Sequence, residues 1–446
     1  MKFSIQKPKK TLHMVSLGCT KNLVDSEVML GRLNEYQLTD NAQNADVIIV
    51  NTCGFIDSAK QESINTILNL HDDRKKESVL VMAGCLSERY KEELQKELPE
   101  IDVFTGVGDY DKIDELVNEK RSNFTTEVFL ASENNERVIT GSSYHAYVKL
   151  SEGCNQACSF CAIPSFKGKL HSRTLESLVK EVKSLVAKGY VDFSFVSQDS
   201  SSFLRDLDTK NGLELLIEEV EKIEGIKTAR ILYLYPSTTT LSLIDKIADS
   251  KVFVNYFDMP LQHTTPSMLK IMKRGKGVEQ LNELMNHMKS KQNSFVRTTF
   301  IAGHPGETEE DFETLCNYVE NFKFDRANVF SYSDEEGTTA ATRNDKVEQE
   351  LIDERAEVLG EIISQTTQES LENEVGKVFE VYIDGESDEH EYLLSARKTI
   401  WAPNIDGEIY INDNELAEGE QIKFGQIYTV KVTELVGDKL LATVIK

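Results

Sequence analysis

Gly153-Cys154-Asn155-Gln156-Ala157-Cys158-Ser159-Phe160-Cys161 sets three cysteines on one short run, directly behind the apolar stretch Ala146–Leu150. That stretch reads as the first strand of a repeating series. Val191–Val196, Ala229–Tyr233, Val252–Phe257, Phe295–Ile301 and Ala327–Phe330 follow, each leading into a helical or loop-plus-helix segment. Six β/α units fall short of the eight that close a barrel, so residues 140–371 are predicted to form a partial (β/α)6 barrel with an open side. The charged stretch Val347–Asn373 reads as a long closing helix. Loops at the carboxyl ends of barrel strands are where such folds keep their chemistry, and the cysteine run lies on the first of them.

Outward from that run, residues 11–130 also alternate short strands with helices. Strands are predicted at Leu12–Leu17, Val47–Val50 and Val79–Met82, with helices at Asn22–Leu33, after Ser58 and after Ser87, both serines being candidate caps and Gln61 completing a capping box. This pattern implies an open parallel α/β sheet. Residues 375–446 change character: five short strands, separated by turn signals such as Asp384-Gly385, Asp406-Gly407 and Gly437-Asp438, predict a small all-β barrel or sandwich. The fold class is α/β with a C-terminal all-β domain.

The chain has 446 residues and seven cysteines. No apolar stretch of signal-peptide or membrane-span length stands out, so the expected location is the cytoplasm with no membrane partner. Thiols in a reducing compartment serve as metal ligands, nucleophiles or core residues rather than as disulfides. Structural zinc takes four ligands, usually as two separated pairs. No second pair is present, and only His145 or His171 could complete a Cys3His site. Three thiolates on a cubane iron–sulfur cluster leave one iron open to a substrate or cofactor.

Cys19, Cys53 and Cys85 each come at or just after the end of an apolar strand. In a parallel sheet those ends share one edge, where open α/β folds bind ligands. Three thiolates converging there would hold a second cluster, against the plainer reading of three small buried hydrophobes. Gly18, Gly54 and Gly84 allow close backbone approach. Cys316, inside a helical segment, reads as a packing residue.

With these segments in place the chain resembles the radical S-adenosylmethionine (SAM) methylthiotransferases over nearly its whole length. The resemblance rests on Ser16–Glu27, Asn51–Ile56, Glu152–Phe166, Pro260–His263 and Arg297–Thr308. It implies an N-terminal methylthiotransferase domain, a radical SAM domain and a C-terminal TRAM domain. The wording Lys21-Asn22-Leu23-Val24-Asp25-Ser26-Glu27 is similar to the branch that modifies an aspartate of ribosomal protein S-twelve, rather than the branch acting on tRNA. Thr20 and His304 depart from the family pattern, where proline and an aromatic residue are expected; neither removes a cysteine.

The resemblance implies two [4Fe-4S] clusters and SAM as cofactors. Cys154, Cys158 and Cys161 would hold the radical cluster, and Cys19, Cys53 and Cys85 an auxiliary cluster that presents sulfur. Gln198, Gly303 and Gly306 are the expected SAM contacts. A low-potential electron donor and a sulfur donor are expected partners. The chemistry calls for a radical, since a carbon-bound hydrogen beside a carboxylate is too weak an acid for a side-chain base near neutral pH.

Charge bears on the substrate. The net charge of −25 disfavours broad affinity for nucleic acid, and residues 372–446 carry 16 Asp or Glu against 7 Lys or Arg. An RNA-gripping barrel should be basic, whereas this one suits a very basic protein. The patch Lys270, Lys273, Arg274 and Lys276 keeps some RNA contact open. The competing readings are a methylthiotransferase of tRNA N6-isopentenyladenosine and a non-enzymatic two-cluster electron carrier.

Overall fold

The computed structural model describes residues 9–446. By contacts the chain divides into two compact units: residues up to 140 with 149–181 and 333–341, and residues 141–148 with 182–332 and 342–446.

In the first unit, β1 (Thr11–Ser16), β2 (Gln37–Leu38), β3 (Val47–Thr52), β4 (Val79–Gly84) and β5 (Val103–Phe104) form a parallel sheet in the order β2-β1-β3-β4-β5. Helices α1 (Thr20–Arg32), α2 (Asp57–Asp73), α3 (Cys85–Arg89), α4 (Lys91–Glu97) and α5 (Ile113–Glu119) connect them. β3 and β4 are buried throughout, as continuous apolar strands covered on both faces must be. Alternate residues serve two cores: Val47, Ile49, Val79 and Val81 face one, while Ile48, Val50, Leu80 and Met82 face the other. Each such side chain stabilises the fold by about 1.5–3 kcal/mol on burial.

Two predicted caps do not form. α2 starts one residue before Ser58, with Ile56 at the cap position and no side-chain cap, and Gln61 bonds Asn65 instead. Ser87 is buried within α3, which begins at once from β4. The short β2 and β5 escaped prediction, since two residues give no periodicity.

β6 (His145–Lys149) leads into β7 (Ser151–Glu152), α6 (Ile163–Lys167), β8 (His171–Ser172) and α7 (Leu175–Ala187). Residues 149–181, predicted as the start of the barrel, pack with the first unit. That brings the Cys154–Cys161 loop into the same unit as Cys19, Cys53 and Cys85.

The second unit is built on β9 (Asp192–Val196), α8 (Gly212–Val220), β10 (Thr228–Ile231), α9 (Leu241–Ala248), β11 (Phe253–Asp258), α10 (Pro266–Ile271), α11 (Val278–Lys289), β12 (Phe295–Ala302), α12 (Glu309–Phe322), β13 (Arg326–Ser331) and α13 (Gln349–Glu372). Its sheet runs β13-β12-β11-β10-β9-β6, the six predicted strands in an open series, and α13 is the predicted closing helix. A reciprocal capping box, Thr308 with Asp311, starts α12.

β14 (Val378–Glu386), β15 (Leu394–Lys398), β16 (Ile409–Asn414), β17 (Ile427–Val436) and β18 (Lys439–Val444) close a five-stranded barrel. Asp384-Gly385 is not a turn: it lies inside β14 at a register shift against β15, where a bulge absorbs the extra residue. The barrel is fastened to the amino ends of the six-stranded sheet. Asp192, the first residue of β9, takes both Arg230 (2.8 Å) and Arg397 (2.6 Å), all three buried. Thr228 meets Tyr382 at 2.9 Å, Tyr147 donates to the Pro403 carbonyl at 2.8 Å, and Arg326 donates to the Asp406 carbonyl at 2.7 Å.

Candidate metal centre

The register of the first sheet sets where its cysteines fall. Ser16 pairs with Asn51, and Thr52 with Gly84, so β1, β3 and β4 end level. Cys19 is the cap residue of α1, Cys53 follows β3 directly, and Cys85 opens α3 directly after β4. All three reach one edge. Gly18, at φ +84°, has room for no side chain: a Cβ there would lie 2.9 Å from the Cys53 sulfur.

Asn22 holds this edge together. Its amide donates to the carbonyls of Leu17 (3.2 Å) and Thr52 (3.0 Å), and its oxygen accepts from the Cys85 thiol at 3.6 Å. Asn51 donates to the Asn22 carbonyl and to Ser26, while the Ser63 hydroxyl accepts from the Cys53 N–H at 3.1 Å. Burial pushes the Cys53 thiol up to about 11, helped by its neighbour Cys19. Burial takes Cys85 up to about 12, against the pull of Lys167. Thiols in this state bind metal with loss of their protons, and iron supplies the compensating charge.

The second triad lies on one loop. The Cys161 N–H donates to the Cys158 carbonyl (3.2 Å), the Gln156 N–H donates to the Cys154 sulfur (3.4 Å), and the Cys154 N–H is anchored on the Gly168 carbonyl (3.1 Å). All three cysteines are half-buried. Among the described residues no three His, Cys, Asp or Glu side chains close to the spacing one metal ion requires. A multi-iron cluster, whose thiolates bind separate irons, suits a wider set. His145, a candidate fourth zinc ligand, sits at the amino end of β6 with its ring on the Ser194 hydroxyl at 2.9 Å, and His171 is exposed on β8.

In the second unit, Gln198 is half-buried just past β9. Its neighbour Asp199 caps a short turn, accepting from the Ser202 N–H (3.1 Å) and hydroxyl (2.6 Å). Gly303 and Gly306 follow β12 at φ +79° and +87°. A Cβ on Gly303 would meet Ile352 of α13 at 2.5 Å, and one on Gly306 would meet Arg343 and Asp345 at 2.9 Å, so both glycines admit the closing segment. Glu307 is buried, held by Arg355 at 2.9 Å and by the Gly303 N–H at 3.1 Å. His263 Nδ1 accepts from the Thr264 N–H at 2.9 Å, while its buried Nε2 lies 3.6 Å from Glu307 and makes no hydrogen bond among the described residues.

Sequence reasoning missed the support of these sites. Asn22, Asp25, Ser26 and Glu27 are all buried on α1, a polar run where an amphipathic helix should bury apolar groups. That inversion was the available signal. Tyr233 and Gln262, at the carboxyl ends of β10 and β11, carry left-handed backbone (φ +63° and +71°), a strain that side-chain patterns do not announce.

Known proteins match this architecture. Residues 11–106 match Uncharacterized protein family UPF0004, residues 148–319 the Radical SAM superfamily and residues 375–445 the TRAM domain. Radical SAM membership implies a [4Fe-4S] cluster and SAM. The ribosomal protein uS12 methylthiotransferase RimO of Aliarcobacter butzleri is 94% identical over 100% of both chains. The proteins of that name from a Sulfurovum species and from Campylobacter jejuni (strain RM1221) are 65% and 55% identical, covering 98% of this chain and 99% and 98% of their own. The radical SAM methyltransferase TsrM from Kitasatospora setae shares the fold, with a TM-score of 0.51 at 14% identity over 73% of this chain and 74% of its own. Similarity at this level over the full chain, joined to two cysteine triads in one compact unit, means that the chain belongs to the RimO family of radical SAM methylthiotransferases.

Proposed function

We propose that this enzyme adds a methylthio group to the β-carbon of an aspartate in ribosomal protein uS12, the protein S-twelve of the small subunit. Its relatives are named as methylthiotransferases of ribosomal protein uS12. The observation that carries the reading is the presence of both cysteine triads in one compact unit, each with its own supporting bonds. Cys154, Cys158 and Cys161 would hold one [4Fe-4S] cluster with an iron left for SAM, and Cys19, Cys53 and Cys85 a second. Together these cofactors supply a radical able to take a carbon-bound hydrogen, and the sulfur and methyl that replace it.

The chain's own part is to fix distance, exclude water and leave an iron open in each site. Gln198, Gly303 and Gly306 are the proposed SAM contacts, the glycines through backbone. The working division is 11–130 for the auxiliary site, 140–371 for radical chemistry and 375–446 for the TRAM domain. An external low-potential electron donor and a sulfur donor complete the cycle, which we place in the cytoplasm; among the described residues no helix is long and apolar enough to cross a membrane.

A basic protein substrate is favoured over tRNA by the charge of the terminal barrel. Leu394 pairs with Ile411, so the loops after β14 and after β16 leave the same end of the barrel. Those loops expose Glu386, Asp388, Glu389 and Glu391, and Asp413, Glu415, Glu418 and Glu420. The test is mass spectrometry after anaerobic reconstitution with iron, sulfide, SAM and a reductant, with uS12 and unmodified tRNA offered in parallel. A methylthio mass gain on an aspartate peptide with tRNA unchanged is expected. Gain on tRNA alone would overturn the substrate, and no SAM cleavage to 5′-deoxyadenosine would leave only an electron carrier.

A further inference from the structure

Four buried charges tie the two cysteine sets together. Asp25 lies on α1 beyond Cys19, Glu152 on β7 just before Cys154, Lys149 ends β6, and Lys167 ends α6 beyond Cys161. Their side chains are at most 4% exposed. Lys149 grips both carboxylates, pairing with Asp25 and lying 2.7 Å from Glu152. Lys167 is held more loosely, 3.4 Å from Asp25 and 3.5 Å from Glu152. Its ammonium has three donors, and it spends one on a long bond to Asp25.

Its remaining surroundings belong to the Cys85 side. α6 packs on α3, and Ala162, Phe166, Tyr110 and Cys85 share one core. The Lys167 ammonium lies 5.8 Å from the centre of the Tyr110 ring. Among the described residues the buried Tyr110 hydroxyl finds no hydrogen-bond partner. Stability does not require such a box, because well-packed apolar groups commonly replace buried ion pairs without loss. Two carboxylates do require two cations, and the second is carried by α6, the helix packed on α3, which opens with Cys85.

We propose that Lys167 is a positioning residue for the centre at Cys19, Cys53 and Cys85: its buried positive charge, on the helix packed against the one that opens with Cys85, raises that centre's reduction potential. Reduction adds negative charge to a buried group, and a cation at short range in a poorly screened interior favours that state. The box also fastens the Cys154–Cys161 loop to the auxiliary site through Glu152 and Lys149. This deepens the function proposed above and rests on it.

The test uses the full chain with Cys154, Cys158 and Cys161 replaced by Ala, so that only one centre forms. Redox titration followed by electron paramagnetic resonance compares this parent with Lys167→Met and Lys167→Arg. In Lys167→Met the reduced-to-oxidised ratio at fixed poise is expected to fall about tenfold, a shift of about 59 mV to more negative potential, while Lys167→Arg stays near the parent. Loss of iron from Lys167→Met alone would also support the role, since Arg keeps the charge. A fully loaded Lys167→Met at the parent potential would overturn it, and so would loss of iron from both variants, which marks a packing role. A parent that binds no iron would sink the two-centre reading itself, a distinguishable result.

Discussion

Among single residues, Asn22 and His145 are the most exacting. Replacing Asn22 by Ala strands the buried carbonyls of Leu17 and Thr52, a cost of about 1–3 kcal/mol. The expected result is lower iron content at the auxiliary site with the Cys154 loop unaffected, read by iron analysis in the background lacking the other triad. His145 is buried among Asp192, Arg230 and Arg397; burial takes its pKa down to about 3 against the pull of Asp192, with Arg397 and Arg230 adding to the lowering. The ring stays neutral in the fold while the unfolded chain protonates near pH 6.5, so its contribution is complete above that pH and is lost as pH falls towards 3. Between pH 7 and pH 5 this group alone removes about 2 kcal/mol, and His145→Gln should flatten the dependence in urea unfolding. The placing of Cys19, Cys53 and Cys85 at one sheet edge was legible in the sequence because each follows an apolar strand of a parallel sheet. Asn22 was not, because its partners are backbone carbonyls of other strands.

At the level of elements, capping signals misled where burial overrode them. α3 starts from β4 with no linker, so Ser87 is swallowed rather than left at an N-terminus. The alternation of strands and helices and the five short C-terminal strands were readable from periodicity and turns, whereas the bulge at Asp384-Gly385 imitated a turn because both use the same residues. Nothing in the sequence foretold that the terminal barrel is pinned to the amino ends of the six-stranded sheet, since the pairing of Asp192 with Arg397 joins residues 205 positions apart. Arg397→Ala leaves Asp192 buried with one cation fewer and is expected to cost about 3–5 kcal/mol. Urea unfolding would show it, and the double change Asp192→Asn with Arg397→Met should cost less than the single one.

For the whole molecule the decisive property is charge. A formal charge of −25 disfavours broad binding to nucleic acid and suits a basic protein. Association with uS12 is therefore expected to slow as salt rises, and changing Glu386, Asp388, Glu389 and Glu391 to the neutral amides should slow it further at low salt. Stopped-flow association rates check both; a rate indifferent to salt would count against docking by the barrel. The chain's division of labour was only half visible in advance, because residues 149–181 are contiguous with the barrel in sequence yet pack beside the other three cysteines. That arrangement brings both cysteine triads into one compact unit. The most direct check is iron and sulfide per chain after anaerobic reconstitution, in the natural protein and in the two triple variants. About eight irons are expected for the intact chain and about four when either Cys19, Cys53 and Cys85 or Cys154, Cys158 and Cys161 are all replaced by Ala. About four irons in the intact chain, unchanged when the first triad is removed, would contradict the two-centre account.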